Sequence, residues 1–196
     1  MKTKTVSEQR IRTESAASSD PFVSNLTTRS GFSLKLRSAN ESDGPLLAEF
    51  FGHVSKDDIR FRFLSGMKQV GSAQLALLTR FDHGRADHLL AFHPTAGFLL
   101  ASAMLALEDD PEQAEVAIAL HADFKNHGIG WCLLDHLANV AASMGVRTIR
   151  SIENRGNRSA IELEREMGFT SRSYPGDSTL MLLEKTLVDA RSVSAA

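Results

Sequence analysis

One segment constrains the fold more than any other: an apolar run that ends in a glycine-bearing polar stretch and passes at once into a helix. Val116, Ile118 and Leu120 alternate with Glu115, Ala117, Ala119 and His121. That is the two-residue period of a strand with small or apolar residues on both faces, which suits the middle of a sheet better than its edge. Asp123-Phe124 then leads through Lys125-Asn126-His127-Gly128-Ile129-Gly130 to Leu133, Leu134, Leu137, Ala138 and Ala141. These residues share one helical face, and Gly145 after Met144 supplies a stop. Strand, glycine pair and helix in this order leave backbone amides free at a helix start. Glycine lets a ligand approach there, and the helix dipole favours an anion. Lys125 and His127 would add positive charge. Taken alone, the pair reads equally well as a turn and a packing contact, and it is neither GxxxxGK[ST] nor GxGxxG.

The rest of the chain sets this segment in an alternation of strands and helices. Phe32, Leu34 and Leu36 alternate with Ser33, Lys35 and Arg37 as in a half-buried strand. Asp43 or Ser42 can cap a helix carrying Leu46, Leu47, Phe50 and Phe51, and further helices are expected near Ile59 to Leu64 and Ala73 to Leu78. His88 to Phe92 and Phe98 to Leu107 flank Pro94-Thr95-Ala96-Gly97, whose turn chemistry predicts a hairpin. Thr148 to Ile152 is a short strand. Asn157 can cap a helix that buries Ala160, Ile161, Leu163 and Met167 and ends at Gly168, and residues 179 to 185 form a last strand. The fold class is therefore α/β or α+β, a single mixed, twisted sheet of about six to seven strands covered by helices.

Residues 1–30 are rich in Ser and Thr with few large apolar residues, so they read as an arm that cannot order itself. The folded domain is expected over 31–188, with a flexible tail over 189–196. Lys and Arg number 22 against 24 Asp and Glu, a formal net charge of -2, so no global positive field draws the chain to nucleic acid or anionic lipid. An anion must be held locally. A single cysteine, Cys132, excludes an intrachain disulfide framework. With neither a membrane-length apolar run nor a secretion signal legible, the expectation is a cytoplasmic protein.

Residues 33 to 186 resemble the GNAT superfamily of N-acetyltransferases. Lys125-Asn126-His127-Gly128-Ile129-Gly130 fits the family's signature after the central strand, with lysine at the first place. Asn157, eleven residues before Gly168-Phe169, fits its second. Leu34-Lys-Leu-Arg, the Asp-Gly-Pro-Leu-Leu helix and Ala114-Glu115-Val116-Ala117-Ile118 are most similar to the bacterial protein-lysine acetyltransferase branch.

The resemblance implies acetyl-CoA as cosubstrate, with no metal, and a primary amine as acceptor, protein lysine being the first expectation. Pantetheine would lie along Ile118, Ala119 and Leu120, pyrophosphate on the amides from Asn126 through His127, Gly128, Ile129 and Gly130 to Trp131, and Asn157 beside the thioester. An ammonium cannot attack until it loses its proton, so a base is required. Glu115, among small residues at the start of the strand, is the first candidate, and Glu153 at the end of the next strand is the alternative. Where the family often carries a tyrosine acid, this chain has Glu164. An ionised glutamate would repel the leaving thiolate, so Glu164 faces solvent, stays protonated, or leaves the role to another group; Tyr174, the only tyrosine, is a weak candidate acid. That departure keeps a second reading open, a non-catalytic acyl-CoA-binding regulatory module. A third is an anion-binding domain for another phosphate ligand. A homodimer is the default expectation for a small enzyme.

Three further features have plain readings. His83, His88 and His93, beside Asp82 and Asp87, are spaced by five and do not converge on a metal. Cys132 reads as a small filler and Trp131 as a contact to cofactor or to a neighbouring helix. Asp57, Asp58, Arg60 and Arg62, interleaved with Phe61 and Phe63, either line an acceptor site or form a solvated helix face.

Overall fold

The computed structural model describes residues 24–67, 69–80 and 85–187. Its elements follow in the order β1 (Ser24–Thr27), β2 (Ser33–Ser38), α1 (Gly44–Gly52), α2 (Lys56–Arg62), α3 (Ser72–Leu77), β3 (Ala86–Phe92), β4 (Leu99–Leu107), β5 (Gln113–Leu120), α4 (Ile129–Ser143), β6 (Thr148–Asn154), α5 (Arg158–Glu166), β7 (Thr170–Ser173) and β8 (Leu180–Thr186). The strands make one sheet ordered β1-β2-β3-β4-β5-β6-β8-β7. Neighbours are antiparallel except β5 and β6.

The two-residue period sorts apolar side chains to both faces. Leu89 and Ala91 of β3, Leu100 and Leu105 of β4 and Val116 of β5 join a core under α4, with Leu133, Leu137 and Ala141. Leu90, Phe92, Leu99 and Ala119 face the opposite way, against Leu47, Phe50, Phe51 and Ile59 from the early helices. Both faces of the central strands are thus apolar because both are covered. Pro94 to Gly97 makes the expected hairpin turn, with Gly97 at φ 75° and its N–H donating to the His93 carbonyl. Gly145 (φ 88°) ends α4, where the Val146 and Gly145 N–H groups donate to the Ala141 and Ala142 carbonyls. Among the described residues no helix is long and apolar enough to cross a membrane.

The structure departs from the expectations at four places. The sheet has eight strands where six to seven were expected, because β1 and β7 are short and polar and are defined by their partners more than by any apolar pattern. The arm expected over 1–30 gives way to β1, which pairs residue by residue with β2 from Ser24↔Leu36 to Thr27↔Ser33; Phe22, Val23 and the tail from Asp189 lie outside the described residues. Asp43 holds the N-cap position of α1 but makes no side-chain cap bond there. It accepts from Arg37 and from the Asn40 N–H, and Asn40 caps the preceding 3-10 turn. Asn157 stands at the start of α5 but turns its side chain elsewhere.

Of the three spaced histidines, His83 lies outside the described residues, together with Asp82. His88 is fully buried on β3, where its Nδ1 lies 2.7 Å from the Leu78 carbonyl and its Nε2 2.7 Å from Ser102 Oγ. Burial above all lowers its pKa from 6.5 to about 4, the Leu78 carbonyl opposing and Arg62 assisting. The folded chain therefore refuses a proton that the unfolded chain accepts. His88 contributes stability above pH 6.5 that is lost as pH falls towards 4, on the order of 3 kcal/mol. Urea titrations at several pH values should show His88→Gln less stable than the parent at pH 7, with the gap narrowing through that window.

Candidate functional site

The geometry of the site follows from an interrupted pairing. β5 pairs with β4 along seven residues, Ala114 to Leu120. Against β6 it pairs only through Gln113, Ala114 and Glu115. From Val116 onward the two parallel strands diverge, leaving one edge of β5 without a strand partner among the described residues. A cavity of about 480 Å³ opens in this gap, lined by β5 from Glu115 to Leu120, the loop into α4, the end of β6, α2 and α5.

The expected donor residues gather here. Ile118, Ala119 and Leu120 form one wall, and Asn126, Gly128, Ile129, Gly130 and Trp131 form another. α4 has no side-chain cap, so the N–H groups of Ile129, Gly130 and Trp131 carry no intrahelical bond, while the Cys132 N–H already donates to the Gly128 carbonyl. Such an end attracts an anion. Asn126 (φ 64°) and Gly128 (φ 77°) both take the left-handed conformation that turns the chain into the helix.

Two basic residues depart from expectation. Lys125 lines the cavity but its Nζ is ion-paired with Asp58 of α2, so its charge is already matched. His127 is not in the lining. Its Nδ1 bonds the Lys125 carbonyl and its ring packs on Phe32 and Phe124, each 5.8 Å away, because an aromatic cluster behind the loop takes the imidazole. Cys132 is off the cavity too, with Sγ 3.8 Å from the Thr27 carbonyl. The β1–β2 turn reaches the same loop: Ser30 Oγ donates to the His127 carbonyl at 3.1 Å, and the Arg29 guanidinium lies 3.5 Å above the Trp131 ring. Nothing in the polar sequence of residues 24–30 signals these contacts.

The opposite half of the cavity is charged. Glu115 opens to solvent at its mouth, yet partial enclosure raises its pKa, Arg62 opposing and Glu108 adding. Glu153 is pushed up to about 8 by burial first and by Glu164 second, although Asn157 Nδ2 donates to it at 2.7 Å. Glu164, 6% exposed, rises to about 7 through burial, against the Ser151 hydroxyl that donates to it at 2.5 Å. Of the readings open for Glu164, exposure to solvent is excluded, and burial favours its protonated form. Arg62 also enters the cavity, while Asp57 and Arg60 form an exposed pair one turn away. Of the two readings of that helix, Arg62 and Asp58 follow the site and Asp57 and Arg60 follow the solvated face. Tyr174 lies outside the lining, in the turn between β7 and β8.

A larger cavity of about 570 Å³ lies between α1, the β3–β4 turn and the 3-10 turn Ala122–Phe124. Its walls carry Phe98, Phe124 and the stacked rings of His53 and His121, and neither the stretch from Lys125 to Trp131 nor the free edge of β5 from Val116 to Leu120 lines it.

The sequence model of the acetyltransferase (GNAT) family matches residues 59–169, more than half the chain and all of the cavity-lining residues except Asp58. The chain belongs to the GNAT family. Among relatives, this acetyltransferase is 27% identical over 169 residues to an acetyltransferase of Pseudomonas aeruginosa, covering 85% of this chain and 90% of the relative. The GNAT domain of PAT from S. lividans superposes with a TM-score of 0.75 at 21% identity, over 84% of this chain and 96% of that one. A phosphinothricin acetyltransferase of Sinorhizobium meliloti, solved with acetyl-CoA, superposes with a TM-score of 0.65 at 18% identity, over 81% and 91%. Membership makes the chain an enzyme of acyl transfer, and the regulatory-module reading loses the ground that Glu164 lent it.

The two glycines of this GNAT loop are not equivalent. A Cβ on Gly128 would sit 3.4 Å from Thr28 Cβ on a backbone at φ 77°, whereas one on Gly130 would meet Leu120 and Leu163 at an ordinary 3.5 Å. Thermal melts without ligand should show Gly128→Ala destabilised by roughly 1–2 kcal/mol and Gly130→Ala unchanged or slightly stabilised. Glu164 supplies a second prediction. Because its folded pKa is raised, its ionisation works against the fold, so Glu164→Gln should stabilise the protein more at pH 8 than at pH 5.

Proposed function

We propose that this enzyme transfers the acetyl group of acetyl-CoA to a primary amine by direct attack in a ternary complex. One observation carries the reading: the uncapped start of α4 and the unpaired edge of β5 open into one cavity, so that anion-binding amides lie beside a strand edge able to bind an extended chain. On this reading the first-turn amides of α4 and the loop from Asn126 hold the pyrophosphate. The backbone of Ile118 to Leu120 hydrogen-bonds the pantetheine as a missing strand would. Trp131, stacked under Arg29, borders the nucleotide side.

The reaction adds the amine nitrogen to the thioester carbonyl carbon, forming C–N as C–S breaks, and yields an amide and the CoA thiol. Glu115 is the proposed base. Its raised pKa keeps it basic enough to take the amine's proton, and it lies at the cavity mouth where an acceptor enters. Glu153 is the alternative base. With a pKa of about 8 it holds its proton at neutral pH, which equally suits it to give a proton to the departing sulfur. Asn157, bonded to Glu153, fixes that carboxyl at the thioester end. An oxyanion is served by a backbone N–H near Leu120.

Glu115→Gln should lower kcat about 10²- to 10⁴-fold, and activity of the parent should fall as pH drops through the raised pKa of Glu115. Acetyl-CoA and CoA should raise the melting temperature of parent and variant alike, and ATP should not. Full activity in Glu115→Gln with loss in Glu153→Gln would move the base to Glu153; no protection by either CoA species would remove the donor site itself.

A further inference from the structure

The acceptor half of the cavity contains a charge that the fold leaves unmatched. Arg62 is the last residue of α2, which packs across the divergence of β5 and β6. Its Nε is buried without a hydrogen-bond partner, although part of the residue's surface remains open to the cavity. The contacts of the guanidinium are weak ones, an Nη2 donation to Met104 Sδ at 3.7 Å and the Phe63 ring 5.4 Å away. Glu115 and Glu153 lie near enough to act on it electrostatically, yet among the described residues no carboxylate has closed to ion-pair distance. Elsewhere in the protein arginines do close: Arg37 grips Asp43, and Arg150 grips Glu108 and Glu184. A buried guanidinium without an acceptor is costly, and the group that relieves the cost most fully is a carboxylate, which takes two parallel N–H bonds from the planar fork.

We infer that the acceptor carries a carboxylate near its reactive amine, as a free amino acid does, and that Arg62 binds this carboxylate while Glu115 receives the amine. The inference rests on the proposed acetyl transfer to an amine and names its substrate class. Two opposite charges facing one cavity without touching match a zwitterion, whose ammonium and carboxylate would enter between them. Lys125 is matched by Asp58, so among the residues lining the cavity Arg62 is the cation without an ion pair; Glu153, Glu162, Glu164 and Glu166 line it beside Glu115, which stands on the central strand. A lysine side chain of a folded protein, or a simple polyamine, offers the ammonium alone and would leave Arg62 unrelieved.

The test is an acetylation assay with the twenty free amino acids, their carboxamides and the corresponding decarboxylated amines, alongside an acetylated-lysine readout on a histidine-free lysine peptide. The parent should prefer at least one amino acid over its carboxamide by about 10- to 100-fold in kcat/KM, the range of a charge-assisted hydrogen-bond pair. Arg62→Met should abolish that preference mainly through KM of the amino acid, and Arg62→Lys, which keeps the charge but loses the fork, should restore part of it. Protection of each variant by acetyl-CoA in a thermal melt verifies that it is folded. Equal use of acids and carboxamides by the parent, preference for the peptide, or equal losses on both acceptor types in Arg62→Met would overturn the inference while leaving acetyl transfer intact. Acetyl-CoA protection with no amine acetylated would overturn both.

Discussion

The parallel pairing of β5 with β6 stops after three residues, and most of what this protein does depends on that stop. A complete parallel pair would bury the edge of β5 against β6 and leave a packed sheet with no room between strands. The stop instead exposes backbone donors and acceptors from Val116 to Leu120 and opens the cavity into which α4 points its free amides. The remaining sheet supplies the rigidity that such a gap requires. β5 is still held by β4 over seven residues, and β6 by β8 over seven more. Each strand flanking the gap is therefore anchored on its far side.

The same gap concentrates charge. Arg62, Glu115, Glu153 and Glu164 come from α2, β5, β6 and α5, and each is partly withdrawn from water. Withdrawal favours the neutral form of a carboxyl, which is why Glu153 and Glu164 rise to about 8 and about 7. Buried carboxyls of this kind work against stability at neutral pH, and the two apolar cores on either face of the sheet offset that cost. Stability and chemistry are thus divided in space, with apolar layers at the centre of the sheet and ionisable groups at the divergence.

The helix from Ile129 to Ser143, its glycine stop, the β3–β4 hairpin and the strand through Val116 were legible because each has a strong local period or turn signal. β1 and β7 were not, since Ser24-Asn-Leu-Thr and Thr170-Ser-Arg-Ser have no apolar period and become strands by pairing with β2 and β8. Asn157 holds the N-cap position of α5 without a side-chain cap bond, its Nδ2 donating instead to Glu153 at the end of β6, a partner that only the fold brings to it. Tyr174 is the only tyrosine of the sequence, and its turn between β7 and β8 does not line the cavity.

Local order in the chain thus specified the strand, the glycine-bearing turn and the helix that together make a donor loop, because the amides of a helix start and the freedom of glycine are properties of adjacent residues. The pairing of Lys125 with Asp58, the turning away of His127, the raised pKa of Glu164 and the unmatched charge of Arg62 were all beyond its reach. Each depends on which groups from distant parts of the chain share a space poor in water, and burial and electrostatic coupling exist only once β5, β6, α2 and α5 have been brought around one cavity.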